Sequence, residues 1–403
     1  MKPDFLSDVR LADFTWAGAG PFGTKIFSDF GADVIKIESS VRLDSVRTGG
    51  PFKDRRSGVN RSGYFASRNT GKKSVVLDLK SEEGQRIAHD IVRHSDVVSN
   101  NFGPGAMERL GMDYETVRRI KPDIVYLSMP MYGEDGPRAE LLGVGMTISA
   151  VTGLMWSTGY RADDPVGPGT HYPDHAANPY HAAFAVLAAL RHRRLTGEGM
   201  KIDLSQVEST INFIGSAMVR CAAEQHDRPQ PGNASWRMAP QGIYRCAGDD
   251  AWCAITVATD EQWAILASIL GGAAMAERFA SVEARLGARS EIDRLVGAWA
   301  AEKGADLVAE TLRTAGIPAA LVANARHLIE HDRQLAERDY WQRVAHPELG
   351  HSLYASPPYR VDGERVELAR PPLLGEHTRD VLGDLLGLSD TELDRLETAG
   401  VFR

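Results

Sequence analysis

Between Val9 and Ser128 the chain repeats one pattern: a short, β-branched apolar run, a turn, then a stretch whose apolar residues recur every three or four positions. Val9 to Phe14 reads as a strand, followed by a glycine-rich turn and a helix through Phe27. Asp33 to Ile37 reads as a second strand, and Lys73 to Leu79 alternates as a third. Ser81 suits the N-cap of a helix that begins Glu82-Glu83 and keeps Ile87, Ile91 and Val92 on one face, because a serine hydroxyl accepts from an otherwise unpaired first-turn N–H. Asp96-Val97-Val98-Ser99 and Asp123 to Ser128 complete the set as short buried strands. Strands alternating with helices predict a mostly parallel sheet flanked by helices, an α/β fold.

A further helix, from Tyr180 to Arg191, is apolar almost all round and is expected to be buried. Asn178 suits its N-cap and Pro179 its first position, where a missing N–H is harmless. Arg191, His192, Arg193 and Arg194 fill the last turn, and Gly197 is a natural stop. One carboxylate, Asp174, stands just ahead, in Gly169-Thr170-His171-Tyr172-Pro173-Asp174-His175-Ala176-Ala177. Beside the positive end of a core helix a carboxylate can stay ionised and act as a nucleophile. A simple capping role fits the same pattern, so the residues alone leave both open.

Organisation changes near Gln225 to Pro240, where Arg228-Pro229-Gln230-Pro231-Gly232-Asn233 is rich in turn formers. Ile243 to Cys246 and Trp252 to Ile255 read as a small hairpin, and helices dominate from Asp260 to Thr314. The expected division is a large domain over 1–224, a smaller α+β domain over 225–325, and a C-terminal segment over 326–403. That segment ends in a helix capped by Ser389 with Leu393 and Leu396 on one side.

Composition narrows the class of protein. A chain of 403 residues, 43% hydrophobic and 25% charged, can bury a large core. Its net charge of −8 argues against nonspecific nucleic-acid binding. Cys221, Cys246 and Cys253 lack CxxC spacing and suit a reduced, cytoplasmic setting. Met1-Lys2-Pro3-Asp4-Phe5 carries no apolar signal core, and Ala182 to Leu190 is too short to span a bilayer. No membrane association is expected.

The segment around Asp174, with Arg194-Leu195-Thr196-Gly197-Glu198-Gly199-Met200-Lys201-Ile202-Asp203 after the helix, resembles the family III CoA-transferases, which include formyl-CoA transferase and carnitine CoA-transferase. Further matches follow in order: Asp13-Phe14-Thr15 with Ala19-Gly20-Pro21, Gly31-Ala32-Asp33-Val34-Ile35-Lys36-Ile37-Glu38, Asn69-Thr70-Gly71-Lys72-Lys73-Ser74, Asn101-Phe102-Gly103-Pro104-Gly105, Gly316-Ile317-Pro318-Ala319, and Pro371-Pro372-Leu373-Leu374-Gly375-Glu376-His377-Thr378. The resemblance implies a Rossmann-like large domain built from both ends of the chain. It also implies an interlocked dimer, either of one chain or of two related subunits.

It further implies that Asp174 is the covalent carrier in CoA transfer between an acyl-CoA and a free acid, with no metal and no tightly bound cofactor. Gly18, Ala19, Leu77, Asn101, Phe102 and Arg109 carry over as CoA contacts. Phe102 is placed to wall the adenine and Arg109 to meet a phosphate. Arg42, Arg47 and Arg138 are added as phosphate candidates on charge alone. Departures from the pattern bear on the substrate. Ser39 stands where the formyl-CoA relative has arginine, and Arg42 is the nearest substitute. The stretch from Gln230 to Pro240 has only Gly232 in place of a tetraglycine loop. Leu142-Gly143-Val144-Gly145 lacks that relative's glutamate. These differences argue against oxalate or formate. Trp16, Met155, Trp156 and Trp236 suggest a larger apolar acyl pocket. The wording Gly169 to Asp174 resembles the benzylsuccinate CoA-transferase branch, implying transfer from succinyl-CoA to an aromatic dicarboxylic acid.

Two rival chemistries compete. Gly18-Ala19-Gly20-Pro21-Phe22-Gly23 matches the G-x-G-x-x-G pattern, and Glu38 ends the next strand, as in NAD-dependent dehydrogenases. Pro21 within the motif and the short Gly23-to-Glu38 spacing count against it. A 2-methylacyl-CoA racemase of the same family would need a His–Asp pair, and Met129-Pro130-Met131-Tyr132-Gly133 offers no histidine. His171, His175 and His181 lack the spacing of a metal site.

Overall fold

The computed structural model describes residues 4–161, 164–227 and 232–403. The turn-rich Arg228-Pro229-Gln230-Pro231 and the initial Met1-Lys2-Pro3 lie outside them. The chain forms two compact units, one comprising Met1–Met155, Gly167–Glu224 and Gln334–Arg403, the other Trp156–Val166 and Gln225–Arg333.

In the first unit six strands form one parallel sheet: β1 (Arg10–Asp13), β2 (Asp33–Glu38), β3 (Lys73–Val76), β4 (Val97–Asn100), β5 (Val125–Ser128) and β6 (Met200–Asp203). Their order is β3-β2-β1-β4-β5-β6, the doubly wound arrangement in which chain direction reverses between β1 and β4. Of the strands in this sheet, the edge strand β6 is the one not foreseen in the periodic pattern. Both faces are covered. Ala12, Ile35, Ile37, Val75 and Val98 pack on one side with Ile87, Ile91 and Leu382. Leu11, Val34, Val97, Val125 and Leu127 pack on the other with Phe27, Ala182 and Val186. Burial on both faces is why these strands read as continuous apolar runs.

Four helices place the site: α1 (Ala19–Asp29), α2 (Gly63–Arg68), α4 (Gly145–Val151) and α5 (Asn178–Thr196), with α3 (Glu82–Arg93) on the opposite face. The Ser81 hydroxyl accepts from the Gly84 N–H at 3.0 Å, the cap its sequence suggests. Gly23 lets α1 and α5 approach, since a Cβ there would lie 3.6 Å from that of Ala182. Only one side of α5 is buried in the single chain: Ala182, Ala183, Val186 and Ala189 face the core. Tyr180, Phe184, Leu187 and Leu195 face outward, Phe184 with 75% of its surface exposed. The expectation of a wholly buried helix is therefore corrected.

The C-terminal residues return to β3. Val76 N–H donates to Thr378 Oγ1 at 3.0 Å, Ser74 N–H to His377 Nδ1 at 3.2 Å, and His377 N–H back to the Ser74 carbonyl at 3.0 Å. The Leu374 to Thr378 segment thus covers a sheet edge that would otherwise present unpaired backbone groups. Helices α6 (Thr378–Leu386) and α7 (Asp390–Thr398) follow, the latter capped by Ser389.

The second unit carries a three-stranded antiparallel sheet, β7 (Gln241–Arg245), β8 (Trp252–Thr256) and β9 (Ala319–Leu321), with β8 central. Trp263, Leu266, Ile292, Val296 and Leu312 fill its core. Its extent differs from the 225–325 span in two ways. The stretch 156–166 belongs to it because Gly159–Arg161 pairs with Asp164–Pro165 while Gly232 abuts the Tyr160 carbonyl. The chain also continues past 325 into a helix, Ala325–Glu330, capped by Asn324.

Candidate active site

Asp174 does not sit in a turn ahead of a capped helix. Pro173–Ala177 forms a single wide helical turn with i→i+5 bonding that runs straight into α5. Pro173 opens it without needing a donor, and such wide turns recur at functional positions. Asn178, expected as the N-cap, has helical φ −60° and ψ −46°. Its side chain turns away, donating to Gln206 Oε1 at 2.9 Å and accepting from the Ser209 hydroxyl. At the far end Gly197 stops α5 as expected, with φ 78° and its N–H on the Arg193 carbonyl.

Two helix starts converge on the Asp174 carboxylate. A Cβ on Gly18, the N-cap of α1, would lie 2.8 Å from Asp174 Oδ2, and so would a Cβ on Gly145, the first residue of α4. The Gly145 N–H bonds the carboxylate. Glycine is required at both positions for close approach, and both helix ends turn their positive poles toward the acid. Burial nevertheless dominates: it pushes the Asp174 pKa up to about 6, against His171, the Gly145 N–H and Arg68, which favour the ionised form. A carboxylate with that pKa is ionised at neutral pH yet poorly solvated, which suits a nucleophile. The activity that depends on ionised Asp174 is expected to fall as pH drops through about 6, with kcat/KM losing tenfold per unit below it. A pH–rate profile flat down to pH 4.5 would refute that assignment.

Around the acid stand Tyr64, His175 and Arg68. The Tyr64 hydroxyl is 3.0 Å from the Gly18 Cβ position and 3.2 Å from His175 Nε2. Burial, with Arg68 and His171 adding to it, pushes His175 down to about 4, so it is neutral at pH 7. His181 is occupied locally, 2.9 Å from the Ala177 carbonyl. Among the described residues no three His, Cys, Asp or Glu side chains group as metal ligands.

The loop from Thr15 to Gly18, which lies against Asp174, is anchored at successive residues by buried polar groups. Lys36 Nζ donates to the Thr15 carbonyl at 2.5 Å. Asn101 brackets Trp16, accepting from its N–H and donating to its carbonyl, both at 2.8 Å. Ala17 N–H donates to Asp44 Oδ1 at 2.9 Å, and Lys36 lies 3.3 Å from the other Asp44 oxygen. Ala17 has φ 62°, a left-handed conformation that costs a non-glycine residue about 1–2 kcal/mol. Asp44 and Asn101 hold it there.

The expected site residues separate into groups. Gly18 meets Asp174, and Ala19 follows it as the first residue of α1. Asn101, Phe102 and Arg42 gather on Trp16: the Phe102 ring packs edge-on at 5.6 Å, and the Arg42 guanidinium lies 5.5 Å from the indole centre. Arg109 is exposed at the end of the short Ala106–Arg109 helix, its Nη1 3.0 Å from where a Gly105 Cβ would be. Arg138 lies beside Tyr132. Leu77 is 1% exposed and its side chain is spent on the core. Arg47 is corrected as a phosphate candidate: it is buried and bidentate on Glu38 at 2.7 Å for both bonds. The same pairing removes the dinucleotide reading, because Glu38 is buried and also takes the Ser74 hydroxyl at 2.7 Å. Tyr64, Arg68, Lys36, Asp44 and Gly145 were not anticipated. Only Gly145 had a signal, the glycine-rich approach Leu142-Gly143-Val144 to a helix.

A parallel sheet whose switch point between β1 and β4 carries a buried acid beside two helix starts defines an α/β enzyme of the doubly wound class. The sequence model of CoA-transferase family III matches residues 6–378. Among curated relatives, "Formyl-CoA:oxalate CoA-transferase" of Streptomyces avermitilis is 30% identical, covering 98% of this chain and 99% of its own. "Succinyl-CoA:glutarate CoA-transferase" of Mus musculus is 30% identical over 100% of this chain and 90% of its own. "Succinyl-CoA--L-malate CoA-transferase beta subunit" of Chloroflexus aurantiacus is 30% identical over 98% of both. The crystal structure of a CaiB/BaiF family protein from Brucella suis superposes with a TM-score of 0.86 at 26% identity, over 96% of this chain and 100% of that one. The chain belongs to CoA-transferase family III, and it is a CoA-transferase acting on acyl-CoA.

Proposed function

We propose that the protein moves CoA from a succinyl-CoA-like donor to a free dicarboxylic acid through a covalent intermediate on Asp174. The observation that carries this reading is the buried, poorly solvated Asp174 carboxylate set between the starts of α1 and α4. Asp174 attacks the donor's acyl carbon and expels CoA thiolate, giving a mixed anhydride. The thiolate attacks the Asp174 carbonyl carbon, forming an aspartyl-CoA thioester and releasing the donor acid. The acceptor carboxylate then attacks that thioester and the thiolate returns to the acceptor's acyl carbon, regenerating Asp174. Each step exchanges one activated acyl bond for another. First-turn N–H groups of α1 at Ala19 and Gly20, which have no partner within the helix, are the donors for the developing oxyanion.

Dicarboxylic acids are named for the glutarate and malate relatives, and benzylsuccinate, an aromatic dicarboxylic acid, remains the acceptor suggested by the Gly169 to Asp174 wording. CoA itself is assigned to the Trp16, Phe102, Asn101 and Arg42 cluster, with Arg109 and Arg138 for its phosphates and the main chain of Gly18, Ala19 and Leu77 alongside. The outward apolar stripe on α5 supports assembly with a second copy or with a related subunit; the Chloroflexus relative is named a beta subunit. A cytoplasmic setting belongs to the same proposal. Among the described residues no helix is long and apolar enough to cross a membrane.

Incubation with succinyl-CoA followed by hydroxylamine is expected to convert Asp174 alone to a hydroxamate, detected by peptide mass. Modification of Cys221, Cys246 or Cys253 instead would overturn the mechanism. Solvent exchange of the proton next to the thioester, without transfer, would instead favour the racemase reading.

A further inference from the structure

Arg68 differs from the other deeply placed arginines. Arg47 is paired with Glu38, and Arg285 with Asp260 and three backbone carbonyls. Arg68, the last residue of α2, forms no ion pair among the described residues, and its Nε is buried with no hydrogen-bond partner. Its guanidinium lies 4.5 Å from the Phe22 ring centre and 5.3 Å from that of Tyr64. Two aromatic faces orient a planar cation without neutralising it. The Arg68 side chain hydrogen-bonds Tyr64 and feels the charge of Asp174, yet among the described residues no carboxylate pairs with it directly; a desolvated guanidinium so placed is the natural partner of a planar anion that arrives from outside.

The surroundings identify that anion. Tyr64, under the guanidinium, places its hydroxyl beside Gly18, where Asp174 Oδ2 also stands. Arg68 is therefore one aromatic ring away from the position of the attacked acyl carbon. The phosphates of CoA are separated from its thioester by the uncharged pantetheine arm, so they cannot reach this place while the thioester carbon meets Asp174. The reacting carboxylate of the free acid also comes here, but in the acyl-CoA the reacting carbon is uncharged, and the anionic group of that reach is then a second carboxylate on the acyl chain itself.

We propose that Arg68 is the specificity residue that binds the far carboxylate of a dicarboxylic substrate, bidentately, while the near carboxyl carbon faces Asp174. This rests on the CoA-transfer reading above. It assigns selection between dicarboxylic and monocarboxylic acyl groups to a single side chain on α2.

The test compares matched pairs of similar length, glutarate with valerate as acceptors and succinyl-CoA with butyryl-CoA as donors, for wild type, Arg68→Met and Arg68→Lys. Wild type is expected to favour the dicarboxylic member of each pair. Arg68→Met is expected to lower kcat/KM for the dicarboxylic member by tenfold to a hundredfold, chiefly through KM, the loss expected for a charge-assisted bidentate contact. At pH 8, where Asp174 with its pKa of about 6 stays ionised, the monocarboxylic member should lose clearly less than the dicarboxylic one, and Arg68→Lys should recover part of the preference. Equal losses on both members would show that Arg68 serves Asp174 or the fold, and would overturn the proposal. A wild type that favours valerate and butyryl-CoA would overturn it without any variant. Trapping of the Asp174 intermediate in wild type is independent of these ratios, so failure of the transfer mechanism and failure of this assignment remain distinguishable.

Discussion

The Asp174→Asn variant is expected to lose at least a hundredfold in transfer rate and yet to be more stable than wild type at pH 8. The first effect follows from removing the covalent carrier: a factor of a hundred is about 2.7 kcal/mol of barrier, less than a lost nucleophile normally costs. The second follows from burial. Asp174 binds its proton more tightly in the folded protein, with a pKa of about 6 against 3.8. The folded state therefore holds more protons than the unfolded one between about pH 4 and 6. Stability declines across that window and is flat above it. The full difference is about 3 kcal/mol by the usual conversion. Asparagine keeps the shape and an acceptor for the Gly145 N–H but has no charge to desolvate. Thermal melts at pH 4.5 and pH 8 should show the variant's advantage growing with pH. A variant less stable than wild type by the same margin at both pH values would mean that the site welcomes the charge.

The second large effect concerns Asp13, fully buried beneath the loop that faces Asp174. Its oxygens accept from the Thr15 N–H at 3.0 Å, the Thr24 hydroxyl at 2.8 Å and Lys72 Nζ at 3.0 Å. Burial alone would raise its pKa, but Lys72 and Lys36 outweigh it and hold Asp13 below the ordinary value. Lys72 is itself pushed down to about 8, burial prevailing over Asp13. Asp13→Ala strands the buried Lys72 ammonium, while Lys36 keeps Asp44, and is expected to cost about 3–5 kcal/mol. Replacing both partners, Asp13→Asn with Lys72→Met, should cost clearly less than the two single changes added together. Additive losses in urea denaturation would show that the pair is not coupled.

Much of the α/β scaffold was legible because its strands are buried on both faces and leave unbroken apolar runs, as at Val97-Val98 and Ile124-Val125. β6 escaped because Met200–Asp203 is a half-exposed edge strand with alternating polar residues. Asn178 and Pro179 mimicked a helix start, since the residues that favour an N-cap do not report whether a preceding wide turn already feeds the helix. At the site, Asp174 and Gly18 were legible through the family pattern and the glycine-rich turn. Arg68, Asp44 and Lys36 were not. Their roles depend on which charges are neutralised in three dimensions, and an arginine over two rings looks, in sequence, like any polar residue at a helix end.

The docking of Leu374 to Thr378 onto β3 imposes an order on synthesis. The N–H groups of Ser74 and Val76 wait for partners 303 and 302 residues further along the chain. Until those residues leave the ribosome, β3 is an open sheet edge beside a half-built core, while the unit formed by Gln225–Arg333 already has most of its own strands and helices in hand. The nascent chain therefore keeps an open sheet edge throughout elongation of the middle of the protein, a period in which chaperone cover guards against edge-to-edge pairing.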